Sequence, residues 1–179
     1  MNIIVESNLK LELINESHAS SVFEMIDRNR DFLKQWLSFI PRMQSVEFIQ
    51  EFIKGSIHRN SEGVEYAFVI FENEIAIGRI GIYKIDSQNK IGEIGYWLVE
   101  NAQGRGIVSS CCKALIRFCF NTLPLNRIEI KCGVENKKSQ SVPERLHFTC
   151  EGKIRQGEWL NNKFIDLNLF SLLKSEWKE

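Results

Sequence analysis

Apolar and polar residues alternate with a period of two near the start of the chain and then with a helical period. Leu9, Leu11 and Leu13 alternate with charged residues, which predicts a half-buried strand. Two helices follow, one from about Ser17 and one that begins after Ser45, and their apolar residues recur at helical spacing. The first third of the chain is therefore predicted to be one strand and a helical arm, with Ser45 as an N-cap.

The middle of the chain changes to strands separated by short polar turns, which is typical of an antiparallel meander. A helix with one apolar face follows the meander, and strands and a short helix complete the chain. The predicted elements after residue 65 are, in order, strands 66–71, 75–83 and 90–99, helix 106–120, strand 128–132, helix 138–146, and two strands that meet at Asn161 and Asn162. The order β-α-α-β-β-β-α-β-α-β-β indicates a mixed domain of helices and strands.

Length and composition limit the class of protein. With 179 residues and no linker or repeat, residues 1–179 are predicted to form a single domain. Lys and Arg number 23, and Asp and Glu also number 23, so the formal net charge is zero. This argues against a nucleic-acid partner, which usually demands a basic protein. No apolar run is long enough to span a membrane, and no secretory signal is visible, so neither a membrane partner nor export is expected.

The five cysteines favour a reducing compartment. Their number is odd and none forms a C-x-x-C pair, so neither a zinc site nor a disulfide framework is expected. We expect reduced cysteines that act as small buried apolar groups in a cytoplasmic protein, and no metal.

A strand that ends near Val99 runs into a polar loop with two glycines, and this loop opens the helix at 106–120. The first turn of a helix has free N–H groups and a partial positive charge, and glycine lets a phosphate approach the backbone. Residues 103–108 are thus a candidate pyrophosphate cradle, to which Arg105 adds a charge-assisted bond. The alternative is an ordinary turn. Ile107 and Val108 exclude a P-loop, and Ser109 replaces the third glycine of a dinucleotide fingerprint.

This loop carries a resemblance to a known family. A strand, then Gln103-Gly104-Arg105-Gly106, then a helix resembles motif A of the GNAT acetyltransferase superfamily. Downstream, residues 136–148 are similar to that family's N-x-x-S segment and the residues that follow it. The strings EIGYWL, QGRGI and NKKSQSVPERL most resemble the RimJ/RimL-like branch, whose members acetylate N-terminal amines of ribosomal proteins. The similarity is strongest over residues 66–172.

The resemblance implies an α+β GNAT fold, with a mixed, mostly antiparallel twisted sheet, flanking helices and a splayed central strand pair. Acetyl-CoA is the implied co-substrate: its pantetheine arm pairs with backbone at Leu98 and Val99 and with Asn136, beside Ser139. Its pyrophosphate is implied to bind the amides of Gln103, Gly104, Arg105, Gly106, Ile107 and Val108. Two residues depart from the family pattern, Val108 in the loop and His147 before Phe148; we interpret His147 as a partly buried turn or helix-end residue.

Acetyl transfer to an amine requires a base, an oxyanion donor and an acid for the leaving thiolate. By resemblance Glu158 is the first candidate base, acting directly or through water, and Glu93 and Glu129 are the alternatives. Glu158 can equally be an exposed carboxylate beside a turn. Ser139 is the implied acid, with an ordinary helix N-cap as the alternative, and the Leu98 N–H is the implied oxyanion donor.

The function predicted from these residues is acetyl transfer from acetyl-CoA to a primary amine by direct attack in a ternary complex. A protein N-terminal amine of the ribosomal-protein type is the first candidate acceptor. A small amine such as a polyamine or aminoglycoside is one alternative, and a CoA-binding protein without transfer activity is another. Trp36, Phe39 and Trp159 are candidate aromatic residues on the acceptor side, and a homodimer is expected from the resemblance.

Overall fold

A computed structural model describes residues 1–178 of the chain. Its strands are β1 (Asn2–Glu6), β2 (Leu9–Leu13), β3 (Tyr66–Glu72), β4 (Ile75–Asp86), β5 (Ile91–Leu98), β6 (Arg127–Gly133), β7 (Thr149–Leu160) and β8 (Lys163–Leu173). Its α-helices are α1 (Ala19–Arg28), α2 (Arg30–Leu33), α3 (Val46–Ser61), α4 (Ile107–Asn121) and α5 (Lys137–Arg145), and short 3-10 turns occupy Glu16–His18, Ile40–Arg42 and Glu100–Ala102. The predicted order of strands and long helices is confirmed, and β1 is the strand that the pattern did not predict.

All eight strands form one sheet in the order β1-β2-β3-β4-β5-β6-β8-β7. Every neighbouring pair is antiparallel except β5 and β6, which are parallel and are joined by the crossover helix α4. The predicted α+β fold, a mostly antiparallel sheet with flanking helices, is therefore confirmed. β1 is an edge strand whose side chains are exposed or only half-buried, so its sequence lacks the strong alternation that identified the other strands.

The central parallel pair opens into a gap. β5 and β6 pair over three positions only, from Ile91 with Arg127 to Glu93 with Glu129. β6 instead pairs with β8 along its whole length, so it diverges from β5 beyond that point. Residues 94–98 of β5 therefore have no partner strand on that side. The gap lies at the carboxyl ends of both strands, next to the start of α4.

Helices cover both faces of the sheet and bury the core. Phe118 of α4 packs edge-on against Tyr66 and Phe68 of β3 on one face. On the other face, Phe52 of α3 packs against Arg79 of β4. Ile80, the next residue of β4, pairs with Phe68 and so faces α4, which places Arg79 on the opposite face of the sheet. No helix within residues 1–178 is both long enough and apolar enough to cross a lipid bilayer.

Two local predictions need correction. Ser45 stands at the N-cap position of α3, but its hydroxyl donates to the Glu47 carboxylate and accepts no backbone N–H. Cys150 is exposed, whereas the other four cysteines are buried as predicted. Cys150 lies on the edge strand β7, where one side of the sheet has no further neighbour.

Candidate active site

A cleft of about 1140 Å³ occupies the gap between β5 and β6. The starts of α4 and α5, the helical arm of α2 and α3, and the β7–β8 hairpin form its walls. Most of the residues predicted for the site line this one cleft: Leu98, Gln103, Gly104, Gly106, Ile107, Val108, Asn136, Ser139 and Glu158. Val99 and the side chain of Arg105 do not. Residues about 60 positions apart in sequence are thus brought together by the sheet topology.

Leu98 carries a backbone amide that faces the gap. Val99 donates its N–H to Ile77 at 2.9 Å, so Gly78 and Leu98 are a non-hydrogen-bonded pair of the antiparallel β4–β5 ladder. The N–H and C=O of Leu98 therefore point away from β4, toward β6. Because β6 has already diverged, these groups have no strand partner and are available to a bound molecule.

Val99 differs from the prediction. Its N–H is used by Ile77, and its carbonyl accepts from the Ala102 N–H at 3.2 Å. Both backbone groups therefore have partners within the chain, and the structure offers no free backbone group at Val99 for a pantetheine arm. Leu98 is the residue at this end of β5 that retains free groups.

The loop before α4 has the properties of an anion site. Gly104 and Gly106 have φ angles of +76° and +79°, a conformation that favours glycine, and no atom lies within 4 Å of the position of a Cβ on either one. Gly106 is the N-cap of α4 and has no side chain to satisfy the first N–H groups of the helix. Gly104, Gly106, Ile107 and Val108 line the cleft, so the start of this helix is placed where its free amides can receive a phosphate.

Ser109 supplies a second observation in the same place. Its hydroxyl is buried in the first turn of α4, lines the cleft, and has no hydrogen-bond partner among residues 1–178. An unpaired buried hydroxyl is unfavourable unless a ligand completes it, so this loop fits a phosphate-bearing molecule such as acetyl-CoA. In the sequence, Ser109 stands out only as the residue in place of the third glycine of a dinucleotide fingerprint.

Arg105 is directed elsewhere. Its guanidinium makes a bidentate ion pair with Glu72 on β3, with N–O distances of 3.1 and 2.8 Å. The positive side chains that do line this end of the cleft are Lys137 and Lys138, and the Lys138 ammonium lies 3.4 Å from the amide oxygen of Gln103. Arg105 links the loop to β3 through its ion pair with Glu72, and the lysines of α5 supply the positive charge in the cleft.

Ser139 faces the cleft from the first turn of α5. Asn136 is the N-cap of this helix and accepts the Ser139 N–H at 3.0 Å, so Ser139 is not the cap. The Ser139 hydroxyl lies 3.3 Å from the Cys132 sulfur and 3.4 Å from the Tyr96 hydroxyl oxygen. Tyr96 in turn donates to the Ser139 carbonyl at 2.9 Å and so bridges the gap between β5 and α5. Burial raises the pKa of both Tyr96 and Cys132, so both are protonated at neutral pH.

Glu158 lines the cleft beside an irregularity in β7. Ile154 pairs with Leu167 and Glu158 pairs with Ile165, so three residues of β7 face one residue of β8. The bulge sets Glu158 opposite Ile165, and both residues line the cleft; bulges are common beside active sites. The carboxylate is half-buried, and no Lys or Arg within residues 1–178 forms an ion pair with it. Burial, and secondarily the charge of Glu93, raises the pKa of Glu158.

The alternative bases have partners. Desolvation acts to raise the pKa of Glu93, but Lys131 at 2.8 Å and Lys84 at 3.1 Å outweigh it and hold that pKa below its usual value. Glu129 pairs with Arg127 at 2.9 Å and does not line the cleft. Among the three carboxylates considered, Glu158 is the one that is unpaired and faces the cleft.

The remaining predicted residues divide into two groups. Trp36 and Phe39 line the cleft, whereas Trp159 is exposed and packs against Phe164 at the hairpin. His147 is exposed and has a φ of +60° at the end of α5, which explains why a glycine is usual there. The helix-end position predicted for His147 is confirmed, but the partial burial predicted with it is wrong, because the side chain is exposed.

The sequence profile described as an acetyltransferase (GNAT) domain matches residues 8–149. The chain belongs to the GNAT acetyltransferase family. It is 36% identical to the ribosomal-protein-serine acetyltransferase of Escherichia coli (strain K12), over 94% of each chain. It is 34% identical to the putative ribosomal N-acetyltransferase YdaF of Bacillus subtilis (strain 168), over 97% of this chain and 96% of the relative.

A solved structure agrees with these relatives. RimL, the ribosomal L7/L12 alpha-N-protein acetyltransferase in complex with coenzyme A, superimposes with a TM-score of 0.93 and 32% identity, over 97% of this chain and 98% of that one. The protein is an acetyl-CoA-dependent N-acetyltransferase. Acetyl-CoA is its co-substrate, and residues 1–178 contain no cluster of three or more His, Cys, Asp or Glu side chains that could hold a metal ion.

Proposed function

We propose that this GNAT enzyme acetylates the N-terminal amine of a protein, of the ribosomal-protein type, by direct attack in a ternary complex. Two full-length relatives and a superimposable structure carry names of that activity. The observation that carries the mechanism is the pairing of two unsatisfied groups in one cleft. These are the unpaired Glu158 carboxylate and the free Leu98 amide at the mouth of the strand gap.

Glu158 takes the proton from the attacking amine. An α-amine has a pKa of about 8, so at neutral pH most of it is protonated and a base is needed. The raised pKa of Glu158 makes it a better proton acceptor than an exposed carboxylate. Because Glu158 is only half-buried, a water molecule can relay the proton where the amine does not reach it directly.

Leu98 and Ser139 serve the other two requirements. The Leu98 N–H stabilises the negative oxygen that develops when the amine attacks the acetyl carbonyl, since backbone N–H groups fixed in a strand need no reorganisation. Ser139 donates a proton to the leaving thiolate, and its hydroxyl already lies against Cys132 and Tyr96 in the gap. Tyr96 holds Ser139 in place through the Ser139 carbonyl.

The co-substrate is held by the start of α4 and by α5. The amides of residues 103–108 and the Ser109 hydroxyl bind the pyrophosphate, with Lys137 and Lys138 beside them. Asn136 uses its side-chain oxygen to cap α5, which leaves its NH₂ group to bind the pantetheine arm. When bound, acetyl-CoA supplies the activated acetyl group.

An acetylation screen tests the acceptor. The panel contains peptides that begin with Ser or Ala, together with spermidine and an aminoglycoside, and release of the CoA thiol is measured. We expect kcat/KM for a peptide to exceed that for either small amine by at least tenfold. Higher kcat/KM for spermidine would refute the peptide acceptor, and acetyl-CoA binding without turnover on any amine would favour a binding protein.

We also propose a cytoplasmic homodimer. Five free cysteines, four of them buried, suit a reducing compartment. The dimer follows from the family resemblance, and sedimentation equilibrium tests it. A single species at 20.8 kDa across micromolar concentrations would contradict it.

A further inference from the structure

Arg79 is a buried cationic residue that lines the cleft, and no hydrogen bond within residues 1–178 satisfies its Nε and Nη2 atoms. It lies on β4, near the centre of the sheet, and is 4% exposed. Its Nε and Nη2 atoms are buried and make no hydrogen bond with any of residues 1–178. The mechanism proposed above does not use this residue.

The position of Arg79 places it beside the reaction centre. It pairs with Trp97 of β5, the residue before Leu98, and both line the cleft. The ring of Phe52 lies 4.5 Å from the guanidinium carbon. A cation–π contact of this kind stabilises the guanidinium through its charge and takes up none of its N–H donors. The Nε and Nη2 donors of Arg79 thus remain unsatisfied within residues 1–178.

Arg79 and Tyr83 lie on the same face of β4, where two glycines make room for the Tyr83 ring. Gly81 and Gly95 pair across β4 and β5, on the same sheet face as Arg79. The Tyr83 ring lies over them: a Cβ on Gly81 would come within 2.7 Å of the Tyr83 hydroxyl oxygen. This hydroxyl therefore points along the strand toward Arg79. Burial raises the pKa of Tyr83, so it remains a donor, and it also lines the cleft.

Nearby carboxylates do not neutralise Arg79. Glu65 also influences Tyr83, but its oxygens already bind Arg59 at 2.6 Å and the Ser56 hydroxyl. Glu93 is paired with lysines, and neither it nor Glu158 forms an ion pair with Arg79 within residues 1–178. A guanidinium stays protonated even when buried, so an unpaired one is unfavourable until an anion is supplied. A carboxylate matches its forked donors best.

We propose that Arg79, with the Tyr83 hydroxyl, binds a carboxylate of the acceptor close to the amine that is acetylated. This inference rests on the proposed peptide acceptor. Paired strand residues lie about 5.5 Å apart and an extended peptide advances about 3.3 Å per residue, so the carboxylate belongs to one of roughly the first three residues. The acceptor class is therefore a protein N-terminus with Asp or Glu at one of these positions. The same cation disfavours polyamines.

Matched peptides test the proposal on the full-length enzyme. All peptides begin with Ser as residue one. In each matched pair, residue two or residue three is either an acid or its amide, that is, Asp against Asn or Glu against Gln. For the preferred position, kcat/KM for the acidic peptide should exceed that for its amide by at least tenfold, mainly through KM. Arg79→Gln should reduce this ratio to about one, and Tyr83→Phe should reduce it by about threefold. Arg42→Gln, an exposed arginine outside the cleft, should leave the ratio as it is.

A second measurement does not depend on a folded variant. Succinate should inhibit the wild-type enzyme competitively against the peptide but not against acetyl-CoA. Equal kcat/KM for acidic and amide peptides at every position, a ratio retained in Arg79→Gln, or no inhibition by succinate would each overturn the proposal.

The experiments distinguish failure of the proposed role of Arg79 from failure of the proposed peptide acceptor. If peptides are acetylated without a preference for acids, only the role of Arg79 is wrong. If no peptide is acetylated but a small amine that carries a carboxylate is, and Arg79→Gln abolishes that preference, the peptide acceptor is wrong and the carboxylate site stands.

Discussion

Replacing Glu158 with Gln removes a negative charge from the cleft while it changes the size of the side chain very little. The carboxylate is half-buried and has no cationic partner within residues 1–178, so the substitution breaks no ion pair. Burial raises the pKa of Glu158, which strengthens it as a base. We therefore expect E158Q to lower kcat and to leave the KM for acetyl-CoA nearly unchanged.

The size of the effect follows from solvent access. General-base catalysis contributes about 100- to 10,000-fold, which is about 2.7 to 5.4 kcal/mol of transition-state stabilisation. Glu158 is half-exposed, so water can partly replace it, and we expect a loss near the lower end, about 100-fold or about 2.7 kcal/mol.

We expect E158Q to lower activity but not to lower the free energy of unfolding. A carboxyl whose pKa is raised in the folded state stabilises the fold below its unfolded pKa, and this contribution is lost as pH rises through the folded pKa. At pH 7 the ionised Glu158 is therefore unfavourable for folding. E158Q should be at least as stable as the wild type, so that lost activity reflects lost chemistry.

The assay is CoA thiol release between pH 5 and 9, with saturating acetyl-CoA and a Ser-initiated peptide. In the wild type, log kcat/KM should decrease as the pH is lowered past the amine pKa of about 8. The decrease should become steeper at pH values below the pKa of Glu158. This steeper limb should be absent in E158Q. Glu129→Gln is the matched control, since Glu129 lies outside the cleft, and its kcat should stay within about twofold. Wild-type turnover in E158Q, or an equal loss in E129Q, would refute Glu158 as the base.

Three further predictions address the loop and the fold. Gly106→Ala places a side chain at φ +79°, so it should cost about 1 kcal/mol in stability and raise the KM for acetyl-CoA several-fold; Gly63→Ala, at φ +72°, should cost the same stability without the KM effect. Leu115→Ala should lower the urea unfolding free energy by about 2–5 kcal/mol, because Leu115 is fully buried, and an unchanged midpoint would contradict this. Arg127 lowers the pKa of Glu151 to about 2, so its stabilisation, at most about 1 kcal/mol, should be present at pH 7 and disappear between pH 4.5 and 2; a difference between wild type and E151Q that persisted at pH 2 would disagree.

Local periodicity was sufficient for most of the fold. The alternation at Leu9–Leu13 and the helical spacing after Gly106 identified elements whose buried faces are strongly apolar. β1 was missed because an edge strand buries only part of each side chain, so selection for alternation is weak. The two-residue turn at Asn161 and Asn162 could be predicted because asparagine tolerates the positive φ angles that such turns require. Both residues adopt them in the structure.

The site was predictable where the chemistry depends on local sequence. Gly104 and Gly106 indicated an anion loop, and the resemblance to the GNAT family implied the roles of Asn136 and Ser139. Groups whose role depends on distant neighbours were not found: Ser109 has an ordinary place in a helix, and Arg79 an ordinary place in a strand. Their significance is that each is buried without a partner, and burial is a property of the packed molecule.

The amino-acid sequence by itself determined the strands and helices, the glycine loop and the family, because these depend on residues a few positions apart. Only the tertiary structure decided which backbone groups are free. β6 leaves β5 to follow β8, and this divergence exposes the Leu98 amide while Val99 stays bound to Ile77. A bulge in β7 sets Glu158 opposite Ile165 on the wall of the cleft, and the packing around the central sheet buries Arg79. Each outcome is set by how the strands pair and pack in three dimensions, which no local pattern encodes.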